Sequence, residues 1–301
     1  MSAVFVVTAY GGPEGQQLIQ REAPAPRSGE IAISVRAAGV NPADAKRREG
    51  AFGTSGRLPL AMGLEASGVV TAVGEGTEGF AVGDAVLGAP ARGLGAFAEH
   101  TVLDASQSVA KPAEVSFPDA ATLPVAGTTA YDLIHQLAPA AGQTVLVLGA
   151  GGGVGQMALQ VAAAHGLTVI GVASQSKRTL VEATGATFVP SGPGVAERVR
   201  EAAQSGVDLL ADLVGGEPLR ELAPTMTSPA GIVSAADAET ALALGGAGRE
   251  RSAGALEAIT ALVRDGLVDP HVEQTHPLVW AAEALAAVEA GHSRGKSVII
   301  P

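Results

Sequence analysis

An apolar run, Val145-Leu146-Val147-Leu148, passes directly into Gly149-Ala150-Gly151-Gly152-Gly153-Val154-Gly155. Glycines at such a junction let backbone N–H groups and the positive end of a following helix face an anion with no side chain in the way. A buried strand, a glycine turn, a helix and a second strand ending near Ala173 occur in the order a pyrophosphate site needs. Gly149, Ala150, Gly152, Gly153, Val154 and Gly155 are therefore read as a dinucleotide-binding turn, against the alternative of a plain tight turn. The end of the second strand selects the dinucleotide, because an acidic residue there accepts from the ribose 2′-hydroxyl of NAD and repels a 2′-phosphate. This chain reads Gly171-Val172-Ala173-Ser174-Gln175-Ser176-Lys177-Arg178, without a carboxylate. Ser174, Lys177 and Arg178 are expected to donate to the 2′-phosphate of NADPH; the alternative is that the two cations open a solvated helix.

Other chemistries are excluded by composition. The chain of 301 residues carries a net charge of −11 and no cysteine. A phosphate backbone is a poor partner for such a surface, so nucleic acid is not expected. Disulfides, thiolate ligands and a cysteine nucleophile are absent, and the six histidines show no ligand-like spacing, so no metal site is expected. His100, His135 and His271 are read as structural or surface groups. The Gly-x-Ser-x-Gly elbow of hydrolases does not occur. The first residues lack a basic leader, and no window approaches the ~18 apolar residues of a membrane span, so a cytoplasmic protein is expected.

The elements that must hold the turn fall into two patterns. Up to about residue 110 the chain reads as short strands between Gly and Pro (4–8, 30–38, 67–73, 85–87, 96–103). From Phe117, strands at 144–148, 168–173, 186–189, 207–213 and 232–235 alternate with helices at 153–166, 176–184, 194–204 and 253–265, following an Ala-rich helical stretch kinked at Pro124. Such alternation means βαβ units and a doubly wound sheet. The tail reads as extended over 268–274, helical over 278–290 and a strand at 296–300. The expected organisation is α/β: a mostly β domain of residues 1–116 and 267–301, and a Rossmann domain of residues 117–266 inserted in it.

Further stretches carry a family resemblance: Ala38-Gly39-Val40-Asn41-Pro42-Ala43-Asp44-Ala45-Lys46, Gly63-Leu64-Glu65-Ala66-Ser67-Gly68-Val69-Val70, Leu123-Pro124-Val125-Ala126-Gly127-Thr128-Thr129-Ala130-Tyr131, the segment 208–216 and Gly291-His292-Ser293-Arg294-Gly295-Lys296. Along nearly its whole length the sequence resembles the zinc-independent medium-chain dehydrogenase/reductases, in the quinone oxidoreductase and enone reductase branch. The resemblance implies a GroES-like catalytic domain beside the Rossmann domain, with the nicotinamide in the cleft between them. It implies that metal-dependent relatives carry Cys near Asn41 and His at position 64, where this chain has Asn41-Pro42 and Leu64.

Without a Lewis acid, hydride transfer to an acceptor polarised by conjugation, a quinone or an α,β-unsaturated ketone, is the expected chemistry. By resemblance Asn41 lies beside the nicotinamide, Thr128 and Tyr131 line the cofactor cleft with Val214 and Gly215, and Lys46 sits in a loop bordering the substrate, where Asp44 would hold its ammonium. Lys46 is a candidate proton donor, or else part of a basic solvated face with Arg47 and Arg48. Asp44 and Glu65 either tune the pocket's charge or serve as turn and hydrogen-bonding residues. Phe52 stands where many relatives carry Tyr, so a phenol is missing from that place. Residues 237–252 are short and polar where relatives run a further apolar strand that pairs subunits, which leaves a homodimer open. An enoyl or biosynthetic ketone reductase, and an NADPH-binding sensor or structural protein with little turnover, are the competing readings.

Overall fold

The computed structural model describes residues 1–291 and 295–301; His292, Ser293 and Arg294, within the closing motif, lie outside the described residues. The chain divides into two compact units, Met1–Val125 with Val272–Pro301, and Ala126–His271.

The first unit opens with strands β1 (Ser2–Val7), β2 (Gln16–Arg21) and β3 (Glu30–Val40), helix α1 (Pro42–Glu49), strands β4 (Leu60–Ala61), β5 (Ala66–Val73), β6 (Ala85–Pro90) and β7 (His100–Ala110), and helix α2 (Phe117–Ala120). The second unit runs α3 (Thr128–His135), β8 (Thr144–Leu148), α4 (Gly153–Ala164), β9 (Thr168–Ala173), α5 (Arg178–Ala183), β10 (Thr187–Pro190), α6 (Val195–Ala202), β11 (Leu209–Asp212), α7 (Gly216–Leu222), β12 (Ile232–Ser234), α8 (Ala238–Ala243), β13 (Ala247–Gly248) and α9 (Ala255–Arg264). The chain then returns to the first unit as β14 (Val272–Pro277), α10 (Ala281–Glu289) and β15 (Lys296–Ile300).

In the first unit β2-β1-β4 form a small sheet, and β14-β15-β3-β5-β6-β7 a larger one that curls until β3 also pairs with β7. Alternating residues Ile31, Ile33 and Val35 of β3 point into a core shared with Phe5, Met62, Phe97 and Leu103, and α10 seals it with Leu285 and Val288. This is a GroES-like β domain. In the second unit all six strands are parallel, in the order β10-β9-β8-β11-β12-β13. Counted from β8 that order is 3-2-1-4-5-6, the doubly wound Rossmann arrangement, whose topological switch point lies between β8 and β11. Strands covered on both faces need to be apolar throughout, and Val145, Leu146, Val147 and Leu148 are all buried.

The divisions fall at 125/126 and 271/272, not at the expected 116/117 and 266/267. Ser67 Oγ donates to Phe117 O (2.6 Å) and Val125 N donates to Glu65 Oε2 (2.7 Å), tying 117–125 to the β domain. Gln160 bonds both the N–H and the carbonyl of Asp269, holding that stretch on the Rossmann unit. Among the elements that escape the pattern of apolar spacing are α1, expected as a loop, the edge strand β2, and the helices α7 and α8.

Candidate functional site

In the β domain, strand register brings three distant residues together. Strand β15 runs antiparallel to β3 with Ser297 opposite Val40, and β5 runs antiparallel to β3 with Ala66 opposite Ala38. Lys296, Asn41 and Glu65 therefore converge at the ends of these strands. Lys296 Nζ donates to Asn41 Oδ1 (2.7 Å), Glu65 Oε1 (3.2 Å) and Val40 O (3.1 Å), while Asn41 Nδ2 donates to Glu65 Oε1 (2.7 Å). An ammonium on one side and a carboxylate on the other fix which end of the carboxamide is oxygen. A side chain at position 39 would collide with Glu65 Oε1 and lie 2.6 Å from Ala121 O, so Gly39 is what admits the carboxylate.

Asn41 also caps α1, with Pro42 in the first helical position. Asp44 Oδ2 accepts from Asn41 N (2.9 Å), but Asp44 Oδ1 is buried without a partner. Asn41, Asp44, Glu65 and Lys296 are 3%, 0%, 0% and 5% exposed. Burial chiefly pushes the Asp44 carboxyl up to about 7; the backbone bond from Asn41 opposes this, Glu65 adds to it, and Lys296 and Arg47 oppose it.

The structure departs from two expectations. Lys46 lies on α1, not in a loop, because Asn41, Pro42 and Asp44 start a helix at that point; its side chain is exposed. Asp44 does not hold the Lys46 ammonium; it turns inward to the Asn41 N–H instead. Phe52 is 65% exposed in a turn. The loop that carries it does meet a phenol, from residue 10: Tyr10 OH donates to Gly56 O (3.3 Å).

In the Rossmann unit the glycine turn sits after β8 at the switch point. Gly149 takes φ +91°, a conformation that side chains resist, and Gly149 N and Ala150 N both donate to Val172 O. Gly152 caps α4 and offers no side-chain acceptor to the N–H groups of its first turn. A Cβ at Gly155 would collide with Gly149 O and lie 2.7 Å from Ala150 Cα, and one at Gly151 would collide with the stem of Lys177. Lys177 thus lies over the turn itself. The glycines form a cradle that any Cβ would fill, and it suits a dinucleotide pyrophosphate.

Val214 and Gly215 stand across the switch point. Asp212 Oδ1 accepts from both their N–H groups (2.9 Å each) and Oδ2 from Ser234 Oγ (2.5 Å). A Cβ at Gly149 would lie 3.1 Å from Val214 Cγ2, so these loops adjoin. Ser174 and Ser176 are exposed with hydroxyls 3.1 Å apart. Arg178 is engaged on its own helix, paired with Glu182 (2.9 Å) and lying 4.6 Å over the Phe188 ring.

Thr128 and Tyr131 lie on α3 with an unforeseen partner. Arg249 donates to Thr128 Oγ1 (3.2 Å), Thr129 Oγ1 (2.7 Å) and Asp132 Oδ2 (2.7 and 2.9 Å), and Ser252 donates to Asp132 Oδ1. Burial lowers the Arg249 guanidinium pKa, and Asp132 opposes that effect. No spacing in the sequence announces this link. In the segment 237–252, expected to lack the relatives' further apolar strand, the strand present is the two-residue β13, and Arg249, directly after it, fastens the chain to α3.

Comparison with known proteins gives these features a family. Residues 27–113 match the family described as alcohol dehydrogenase GroES-like domain, and residues 184–299 that described as zinc-binding dehydrogenase. The chain belongs to the medium-chain dehydrogenase/reductase superfamily, and its relatives support the quinone oxidoreductase branch. It is 33% identical to quinone oxidoreductase of Rattus norvegicus over 219 residues, covering 71% of this chain and 66% of that protein. It is 34% identical to the synaptic vesicle membrane protein VAT-1 homolog of the same species over 220 residues, 70% of this chain and 54% of that protein. The chain thus spans little more than half the length of several curated relatives it matches. The crystal structure of Escherichia coli quinone oxidoreductase complexed with NADPH superposes with a TM-score of 0.89 at 26% identity, covering 99% of this chain and 100% of that one.

The donor set does not fit the zinc that the second family description names. The chain has no cysteine, Asn41 and Leu64 stand where the ligands are expected, and no cluster of three or more His, Asp or Glu able to hold a metal occurs among the described residues. No helix among the described residues is long and apolar enough to cross a membrane.

Proposed function

We propose that this oxidoreductase is a zinc-independent reductase that takes hydride from NADPH and passes it to a quinone or an α,β-unsaturated carbonyl compound. The observation that carries the reading is the glycine cradle at the switch point, with Lys177 lying over it and no acidic residue from Ala173 to Arg178. Gly149, Ala150, Gly152, Gly153, Val154 and Gly155 would hold the pyrophosphate, with Val214 and Gly215 beside them. Ser174 and Lys177 would hold the 2′-phosphate, and Arg178 would join them only by leaving Glu182. Bound there, NADPH supplies the hydride.

Asn41 contributes orientation. Its carboxamide oxygen is taken by Lys296 and one Nδ2 hydrogen by Glu65, so the second Nδ2 hydrogen is the donor it retains. Thr128 and Tyr131 serve the cofactor from α3, where Arg249 sets the Thr128 hydroxyl. Phe52 has no ionisable group, so the proton that completes reduction of the acceptor would come from solvent or from the exposed ammonium of Lys46.

The test is a steady-state screen of NADPH oxidation over quinones, enones, enals and ketones, with and without a chelator. Turnover of a quinone or enone that survives chelation supports the reading. Stoichiometric NADPH binding without oxidation across the panel would replace it with the sensor reading. Activity that tracks about one zinc per chain would remove its metal-free part.

A further inference from the structure

Helix α3 ends at His135, and His165 is the C-cap of α4. The two helices pack together, and the imidazoles meet with their Nε2 atoms 2.9 Å apart and their rings nearly perpendicular, at 89°. His135 Nδ1 lies 2.8 Å from Tyr131 O. A carbonyl only accepts, so Nδ1 carries the proton and Nε2 presents its lone pair. The Tyr131 ring stacks on the same imidazole at 3.8 Å and fixes its plane. A ring nitrogen oriented by a backbone carbonyl through the other nitrogen is how protein imidazoles are set for metal ligation. His165 is exposed.

We propose that His135 and His165 form a two-imidazole site for a borderline divalent transition-metal ion, with Cu(II) or Ni(II) preferred over Zn(II). Two nitrogens held about 2.0–2.1 Å from one ion are about 2.9 Å apart when they subtend a right angle and about 3.3 Å apart in a tetrahedron. The 2.9 Å contact is an Nε2–H···Nε2 hydrogen bond in the metal-free chain, and replacing its proton by an ion would ask little movement to reach a cis pair in the tetragonal geometry that Cu(II) and Ni(II) favour. The site lies where the C-terminal ends of two helices converge, and their dipoles favour a cation. Burial holds the His135 imidazole below its ordinary pKa; the bond to Tyr131 O opposes this, His165 adds to it and Asp132 opposes it. Binding through Nε2 of His165 requires that ring's N–H to be on Nδ1, an exchange made through solvent, and no electron moves. Water fills the remaining positions.

The experiment is equilibrium binding of CuCl2 to the full chain, read by electron paramagnetic resonance, with NiCl2 as a second probe. One Cu(II) per chain, with hyperfine splitting from two imidazole nitrogens, is expected. His165→Gln and His135→Gln should each weaken binding tenfold or more, and His271→Gln should leave it unchanged. His165 is exposed, so its replacement leaves the fold intact, which a melting curve verifies. Copper affinity equal to wild type in His165→Gln, or a spectrum without imidazole nitrogen in the wild-type protein, would overturn the proposal.

Discussion

Of the two carboxylates in the buried cluster of the β domain, Glu65 pairs with the Lys296 ammonium and Asp44 is the one left short of partners. Its folded pKa, raised to about 7, exceeds the unfolded value of 3.8, so the native state keeps a proton that the unfolded state releases. The stability linked to Asp44 is therefore complete below about pH 4 and is lost as pH rises through about 7. Asp44→Asn should flatten the fall in unfolding free energy between those limits relative to wild type, as urea titrations at several pH values will read; parallel curves would refute the assignment. Removing the ammonium acts in the opposite sense. Lys296→Met leaves Glu65 buried and uncompensated and should cost about 3–5 kcal/mol, part of which Glu65→Gln should recover when added. Asn41 could be singled out in the sequence because its Asn-Pro motif is local. Lys296, 255 positions away, was not, because only the register of β15 against β3 brings them together.

The strand-turn-helix of β8 and α4 was readable because a continuous apolar run and helical spacing meet at glycines whose backbone positions admit nothing larger. Gly155→Ala should weaken NADPH binding tenfold or more and destabilise the fold by about 1–3 kcal/mol, since its methyl has no room beside Gly149 O. Calorimetric titration and a denaturation curve check both; normal affinity would show that the turn does not hold the cofactor. Helix α1 escaped because Pro42–Glu49 carries five charged residues and no apolar stripe, although its cap signals were present. Strand β2 escaped because it is a polar edge paired only with β1. The Arg249 link was invisible because the pairing spans 117 positions and follows no period. Arg249→Met strands the buried Asp132 carboxylate and should destabilise the protein by about 3 kcal/mol, with Asp132→Asn recovering part of that loss.

At the scale of the whole molecule, two units with separate cores carry the two halves of the proposed chemistry, a cradle for the dinucleotide and a buried polar cluster around Asn41. Both fold classes were legible from the change in periodicity at Phe117, whereas the division at Val125 depended on bonds from Ser67 and Glu65 that no local pattern encodes. A ligand that binds only the folded chain raises its melting temperature. NADPH should therefore raise it more than NADH at equal concentration, and Lys177→Ala should remove most of that difference; a larger shift with NADH would contradict the cofactor assignment. The most direct measurement follows the hydride itself. NADPH carrying deuterium at the transferable position of nicotinamide C4 is incubated with the protein and an enone, and the reduced product is analysed by mass spectrometry and NMR. One deuterium is expected on the carbon β to the carbonyl. A product with no deuterium there, or no reduced product from any enone or quinone while NADPH stays bound, would contradict it.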